Sequence, residues 1–247
     1  MSEITSRTNP RFKRWLSLTE SKGIRKEGLC LLSGKKLVNE LLQSRPELVV
    51  EILLPPKGDA LNAFDGPQVR LTSELFKEID VIGTRSPIAV VKTSNIPEWQ
   101  QTETRGLEVI AALSDPGNLG GLLRSAHAFG VRRVILTEES ASPFLPKTLR
   151  ASAGISLNME FAYAPSIKNL ELKNSAIGLD MDGEDLNSFS WPANSLLVLG
   201  EEGQGLPDQL NLQRLKIPMR AGTESLNAMV AASIAMFAYA SQHPVKN

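Results

Sequence analysis

The sequence predicts an α/β protein: a mostly parallel sheet with helices on its faces, preceded by a small α/β domain. Three observations carry this. Beyond residue 106, short apolar strand candidates alternate with amphipathic helical stretches, the pattern of a parallel sheet built from βα repeats. Three of those strands run directly into loops rich in Gly, Pro, Asn or Glu, and the carboxyl ends of parallel strands are where such folds place ligands. Residues 94–105, SNIPEWQQTETR, are polar and contain a proline, the composition of a connection between packed units. The expected organisation is an N-terminal domain over 1–94, a linker over 95–105 and a second domain over 106–247.

In the first domain, residues 35–42 read as a helix, 49–54 (VVEILL) as a buried strand, 72–79 as a helix capped by Thr72 or Ser73, and 88–91 as a closing strand. In the second, strands are expected at 107–113, 133–137, 176–180, 196–200 and 215–219. After the first of these, Pro116 and Gly117 break the strand, and Asn118 or the following glycines open a helix. Its apolar stripe is Leu119, Leu122, Leu123, Ala126 and Phe129, with Gly130 at its end. At about 100° per residue Arg124 falls opposite that stripe, so packing does not require it. It is either a solvated surface residue or a functional one. His127 has no second ligand at metal spacing and reads as an ordinary half-exposed histidine. The last helix, from about Leu226, is capped by Ser225 or Thr223 and carries Leu226, Met229, Val230, Ser233, Ile234 and Phe237 on one face, destined for core or for a subunit interface.

Composition bounds the rest. With 247 residues, 42% hydrophobic and 22% charged, the chain is neither disordered nor fibrous. Lys and Arg number 27 and so do Asp and Glu, so an acidic partner must be met by a local patch. Residues 1–36 hold nine Lys or Arg against three Glu. Arg7, Arg11, Lys13, Arg14 and Arg25 in that stretch are candidates for phosphate contacts, or simply the wet face of a helix. Cys30 is the only cysteine, which excludes an intrachain disulfide and fits a reducing compartment. No secretory leader is expected, and the longest apolar stretch, 226–240, is too short to span a bilayer of about 30 Å.

The loop after 196–200, GEEGQGLP, brings three glycines within six residues and permits close backbone approach to a ligand. Its acidic pair, Glu201 and Glu202, repels a pyrophosphate and favours a cationic or neutral ligand. There is no G-x-x-x-x-G-K-[ST], no G-x-G-x-x-G, no G-x-S-x-G and no H-E-x-x-H, which disfavours phosphate-binding nucleotide enzymes, hydrolases of the serine type and zinc proteases.

Taken in order, DPGNLGGLLRSAHAFGV, VLGEEGQGLP and IPMRAGTESLNAMVAAS resemble the three signature motifs of the SpoU (TrmH-like) family of RNA ribose 2′-O-methyltransferases in the SPOUT superfamily. RASAGIS from Arg150 resembles a segment between the first two motifs. ITSRTNPRFKRWLSL, LLSGKKLVNELL and the region ending IAVV look like the small substrate-binding domain that precedes many such catalytic domains. The resemblance implies a trefoil-knotted, homodimeric SPOUT methyltransferase domain. It implies S-adenosylmethionine as cofactor, held at Leu199, Gly200, Ile217, Met219 and Leu226, and no metal. It places the functional polar residues at Asn118, Arg124, Glu202, Ser225 and Asn227, with Arg124 stabilising negative charge on the ribose oxygen. The implied partner is structured RNA, ribosomal RNA first and transfer RNA second, in the cytoplasm. Met229 stands where a second serine is usual, Ser33 where a Glu usually precedes the Gly, TRSPIAVV lacks the usual Gln-Gly, and ISLNMEFAY the usual Phe-Arg pair. These departures keep open an RNA-binding protein with a degenerate site; the remaining alternative is an unrelated α/β nucleotide enzyme.

Overall fold

The structure, a computed structural model, describes residues 2–173, 175–220, 222 and 225–244. The chain divides into two compact units. The first comprises Met1–Asn95 with Ser142–Leu157, and the second Ile96–Ala141 with Asn158–Asn247.

In the first unit, β1 (Ser2–Ile4) leads to helices α1 (Pro10–Ser17) and α2 (Ser21–Glu27), then β2 (Leu29–Ser33), α3 (Lys35–Ser44), β3 (Val49–Leu54), β4 (Gln68–Leu71), α4 (Ser73–Ile79) and β5 (Ile88–Lys92). The sheet order is β1-β4-β3-β5-β2. β5 runs antiparallel to both its neighbours and the rest is parallel. Local chemistry sets the helix ends: Asn9 accepts the Arg11 N–H at 2.9 Å before Pro10 opens α1, and Thr72 caps α4. Phe12, Trp15, Leu18, Leu31, Leu53 and Phe76 pack into one buried cluster on a face of this sheet. The basic segment runs from the turn before α1 through α1 and α2 to the start of α3, and its arginines are partly engaged. Arg7 pairs with Glu78 at 2.9 Å, Arg11 with Glu51 at 2.5 Å, and Arg14 with Glu27 at 2.7 Å. Glu51 also accepts the Trp15 indole N–H at 2.7 Å, and the Arg11 guanidinium lies 5.1 Å from the Trp15 ring centre. Lys13 and Arg25 are exposed.

The second unit begins with β6 (Leu107–Ala111), α5 (Pro116–Ala128) and β7 (Arg133–Leu136). The chain then contributes α6 (Pro146–Ala151) to the first unit and returns through β8 (Glu160–Tyr163), β9 (Ala176–Asp185), β10 (Ser195–Leu199), β11 (Leu212–Lys216) and α7 (Ala228–Gln242). All pairings are parallel, and the order is β11-β9-β10-β6-β7-β8. Continuous apolar runs such as Leu196–Leu199, buried on both faces, are what a helix-covered parallel sheet demands.

Several expectations are corrected. Asp115, not Asn118, caps α5, its carboxylate accepting the Asn118 N–H at 2.8 Å while Pro116 takes the first helical position. Pro suits that place because its missing N–H is not needed there. The last strand covers Leu212–Lys216 rather than 215–219. Within the expected linker, the Trp99 N–H bonds the Tyr163 carbonyl at 2.6 Å and the Tyr163 N–H bonds the Pro97 carbonyl at 2.8 Å, so this stretch is fastened along β8. Ser142–Leu157, expected in the second domain, packs with the first unit. Asn227 caps α7, accepting the N–H groups of Met229 at 3.0 Å and Val230 at 3.3 Å. Ser225 does not cap it, and Thr223 lies outside the described residues. The buried face of α7 is Ala232, Ala235, Met236 and Tyr239, while Val230 and Phe237, expected on a packed stripe, are 39% and 60% exposed.

Candidate functional site

The strand order places the site. The chain runs outward from β6 through β7 to β8, then resumes on the other side of β6 with β10 as its direct neighbour. The loops leaving β6 and β10 therefore diverge from adjacent strand ends, the topological switch point at which open parallel sheets leave a crevice. β11 lies two strands further along, and the segment after it leads to the capped start of α7.

A cavity of about 760 Å³ lies at these strand ends, within the range of small-molecule sites. Leu199 and Gly200 at the end of β10, Ile217 and Met219 after β11, and Leu226 before α7 all line it. So do Asn118, Glu202, Ser225 and Asn227. Nine of the ten residues expected to act on cofactor or chemistry thus share one cavity. The tenth, Arg124, is exposed on α5 and does not line it. It stands six residues, or about 9 Å of helix rise, beyond Asn118.

Side-chain hydrogen bonds join the three loops. The Asn118 amide donates to Glu202 Oε1, and Ser114 donates to the other carboxylate oxygen of Glu202 at 3.1 Å. The Asn227 amide donates to Asn118 Oδ1 at 3.3 Å while its own oxygen caps α7. One asparagine thereby links the loop after β10 to the start of the last helix. Asn118 engages Glu202 and Asn227. The loop itself is a closed hairpin: Glu201 and Gly205 exchange backbone hydrogen bonds of 3.1 and 3.0 Å. A Cβ on Gly200 would stand 2.1 Å from the Gly205 carbonyl oxygen, so only glycine permits this closure. Lys168 holds Glu201 at 3.2 Å.

Met229, at the position where the motif departs from its usual form, packs its sulfur and methyl against Gly121 of α5, at 3.2–3.3 Å from where a Cβ there would lie. Ser233 follows one turn later, its hydroxyl donating to the Met229 carbonyl and sharing a hydrogen bond with the Ser125 hydroxyl, both at 2.8 Å. The methionine thus serves the contact between α5 and α7 rather than the cavity.

Sequence reasoning missed one wall. The β9–β11 register jumps from Gly178 opposite Arg214 to Glu184 opposite Leu215. The intervening residues 179–183 leave the ladder, and Leu179, Asp180 and Met181 line the cavity. Gly183 crosses so close to β11 that a Cβ would sit 2.5 Å from the Arg214 backbone. Arg214 pairs with Asp180. Partial burial opposes ionisation of Asp180, but the hydrogen bond and charge of Arg214 outweigh it and hold the carboxyl below its ordinary range. The polar run DMDGED gave no sign of continuing a strand, and only the glycine within it hints at a bulge.

Among the described residues there is no group of three or more His, Cys, Asp or Glu able to hold a metal, and no helix long and apolar enough to cross a membrane.

The family model described as the SpoU rRNA Methylase family matches residues 107–237. A protein named ribosomal RNA small subunit methyltransferase G 2, from Syntrophobacter fumaroxidans, is 36% identical over 244 residues, covering 96% of this chain and 49% of its own. The chain thus spans about half the length of that relative. The 23S rRNA (guanosine(2553)-2'-O)-methyltransferase RlmP of Bacillus subtilis is 30% identical over 249 residues, covering 96% of this chain and 98% of its own. Among solved structures, the AdoMet-bound rRNA methyltransferase from Sinorhizobium meliloti matches with a TM-score of 0.77 at 22% identity, over 99% of both chains. The SpoU methyltransferase AviRb from Streptomyces viridochromogenes, in complex with AdoMet, matches with a TM-score of 0.78 at 21% identity, over 97% of this chain and 100% of that one. At such identities these two establish likeness of fold.

Proposed function

The chain belongs to the SpoU rRNA methylase family, and from that premise we propose that it transfers a methyl group from S-adenosylmethionine to a ribose 2′-hydroxyl of structured RNA, ribosomal RNA in the first place. The observation that carries the proposal is the Glu202–Asn118–Asn227 chain closing three distant loops around one cavity.

The residues fit the methyl donor. Leu199, Ile217, Met219, Leu226 and Ala231 give the cavity an apolar wall for a nucleoside base. The tight hairpin after Gly200 brings backbone to the ligand. Glu201 and Glu202 supply a negative field that favours a cationic ligand over a phosphorylated one. When bound, the donor supplies an electrophilic methyl on a positively charged sulfur. Everything else falls to the chain. Asn118 and Glu202 fix the loops against each other, and Asn227 holds the start of α7. Ser225, beside them, is a candidate for orienting the acceptor. Alignment of the ribose oxygen with the methyl supplies much of the acceleration. Arg124 is proposed as the catalytic residue on the RNA side: its guanidinium, a planar fork of donors, orients ribose and phosphate and stabilises negative charge developing on the 2′-oxygen. A residue that handles the incoming RNA need not line the cofactor cavity.

Phosphate contacts are assigned first to the exposed Lys13 and Arg25, then to Arg7, Arg11 and Arg14 in exchange for their carboxylate partners. The exposed pairs of Arg7 and Arg14 are worth about 0–1 kcal/mol and yield readily, whereas Glu51 is buried and would be left unpaired, so Arg11 is the last of the five to be released. The trefoil knot is part of the same proposal, supported by the convergence of residues 199–205 and 217–227 on one cavity. A homodimer is supported by the exposed Val230 and Phe237 on α7, where the Phe237 and Phe129 rings meet edge to face, centres 5.9 Å apart. Replacing Phe237 by glutamate is expected to give a folded monomer in sedimentation while the wild-type chain sediments as a dimer. The proposed setting is the cytoplasm, where a lone buried Cys30 is kept reduced.

The test is methyl transfer from labelled S-adenosylmethionine to purified ribosomal RNA and transfer RNA, followed by nuclease digestion. The expected product is a 2′-O-methyl nucleoside from ribosomal RNA. Label on a base, or no incorporation in either RNA, overturns the proposal, and label in transfer RNA alone corrects the substrate. Packing of Met229 outside the cavity weighs against an inactive RNA-binding protein, an alternative that rests on Met229 together with the altered N-terminal motifs.

A further inference from the structure

Five charged side chains line the cavity among its described residues, and Arg214 is the only cation; the others are Asp180, Glu201, Glu202 and Asp208. Two of the carboxylates are committed elsewhere. Glu201 is held by Lys168 at 3.2 Å, and Glu202 by Asn118 and Ser114. Asp208 is fully exposed and stands 4.0 Å from Arg214. Asp180 and Arg214 remain, adjacent, each about 70% buried, on the bulged wall of β9 and the facing strand β11. Neither is saturated. Besides Asp180, the guanidinium meets the Pro207 carbonyl at 3.5 Å and the exposed Asp208 at 4.0 Å, both at the limit of contact, although it carries five donors. The Asp180 carboxylate otherwise meets only backbone of its own bulge, the Asp182 N–H at 3.4 Å and the Met181 N–H.

We propose that this pair is the subsite for the amino-acid end of the methyl donor, with Arg214 taking the α-carboxylate and Asp180 the α-ammonium. A zwitterion is the ligand chemistry that such a pair matches. Its two charged groups are carried by one carbon and are opposite in sign, so it meets an adjacent cation and anion without leaving either unpaired. The apolar wall and acidic hairpin that suit base and sulfonium offer no counter-charge for a carboxylate, and Arg214 does. The β9 bulge gains a purpose: a regular ladder would keep Asp180 paired along β11, whereas the excursion closed at Gly183 brings it to the cavity. The inference rests on the cofactor reading above and extends it to two residues outside the three motif loops.

The test compares the affinities, by calorimetry, of three ligands that all carry an uncharged thioether sulfur: S-adenosylhomocysteine, its decarboxylated counterpart, and methylthioadenosine, which lacks the whole amino-acid tail. The wild-type chain is expected to bind S-adenosylhomocysteine roughly ten- to a hundredfold more tightly than either of the others. Arg214→Gln is expected to erase the advantage over the decarboxylated ligand and leave methylthioadenosine binding unchanged. Asp180→Asn is expected to weaken both amine-bearing ligands. Equal wild-type affinity for all three overturns the inference and leaves the cofactor reading standing. So does a variant that weakens methylthioadenosine as much as S-adenosylhomocysteine, because the pair then only braces the wall. Failure of the wild-type chain to bind S-adenosylmethionine or any of the three overturns both.

Discussion

Arg124→Ala is expected to lower methyl transfer by roughly a hundred- to a thousandfold, the usual cost of removing one group that stabilises developing negative charge, while the affinity for S-adenosylmethionine stays at the wild-type value. The asymmetry follows from position: Arg124 is exposed on α5 and contributes nothing to the cavity wall. Its side chain lies opposite the buried Leu119, Leu122 and Leu123, so the variant keeps the core of the helix and its stability. Arg124→Lys is expected to restore little, because an ammonium cannot reproduce the planar fork of donors that addresses ribose and phosphate together. Single-turnover rates with saturating RNA, set beside calorimetric cofactor affinity, make the measurement. Wild-type turnover in Arg124→Ala removes this residue from the mechanism.

Gly200→Ala is expected to abolish cofactor binding, with affinity falling by about a hundredfold or more. The added methyl carbon would stand 2.1 Å from one backbone oxygen and 2.2 Å from its carbon, both of Gly205. Backbone cannot swing aside as the end of a side chain does. The hairpin must open, giving up the paired Glu201–Gly205 hydrogen bonds, each worth about 1 kcal/mol. Glu202 would then lose its place against Asn118, and the linkage to Asn227 with it. Global stability is expected to fall far less, since β10 itself ends at Leu199. Calorimetry for binding and urea midpoints for stability separate the two, and near-normal affinity in a folded variant would show that the hairpin does not shape the ligand site.

How much of this was legible beforehand differs by element. Residues 49–54 and the helix over 72–79 carry their signals in short-range pattern, an apolar run and a capping threonine, and both stand where expected. The start of α5 was misread because Asp115, Pro116 and Asn118 are all competent at a helix entrance, and only the geometry shows which one caps. The residues of the cavity were legible through resemblance, since nothing in the spacing of Asn118, Glu202 and Asn227 tells that they will meet. Sheet order brings them together, and sheet order is a long-range property. Asp180 and Arg214 were invisible for the same reason in stronger form: their meeting depends on a register jump between two strands. The basic N-terminal stretch illustrates a different limit. Sequence counts its charges but cannot see that Glu78, Glu51 and Glu27 come back to meet three of them. The exposed Phe237 followed from no helical period either, because α7 is apolar on every side and its Ala-rich face takes the core.

The return of Ser142–Leu157 to the first unit bears on how this protein can be dissected. The polypeptide passes from one body to the other three times, at 95, 141 and 157. Neither body is therefore a continuous stretch of gene. Cutting after residue 95 would separate Ser142–Leu157, with its buried Phe144 and Leu149, from the unit it belongs to, and would deprive the amino-terminal half of α6, which lies against β2. Evolution could not have added or lost the smaller body by simple fusion or truncation without also rewriting the stretch between β7 and β8.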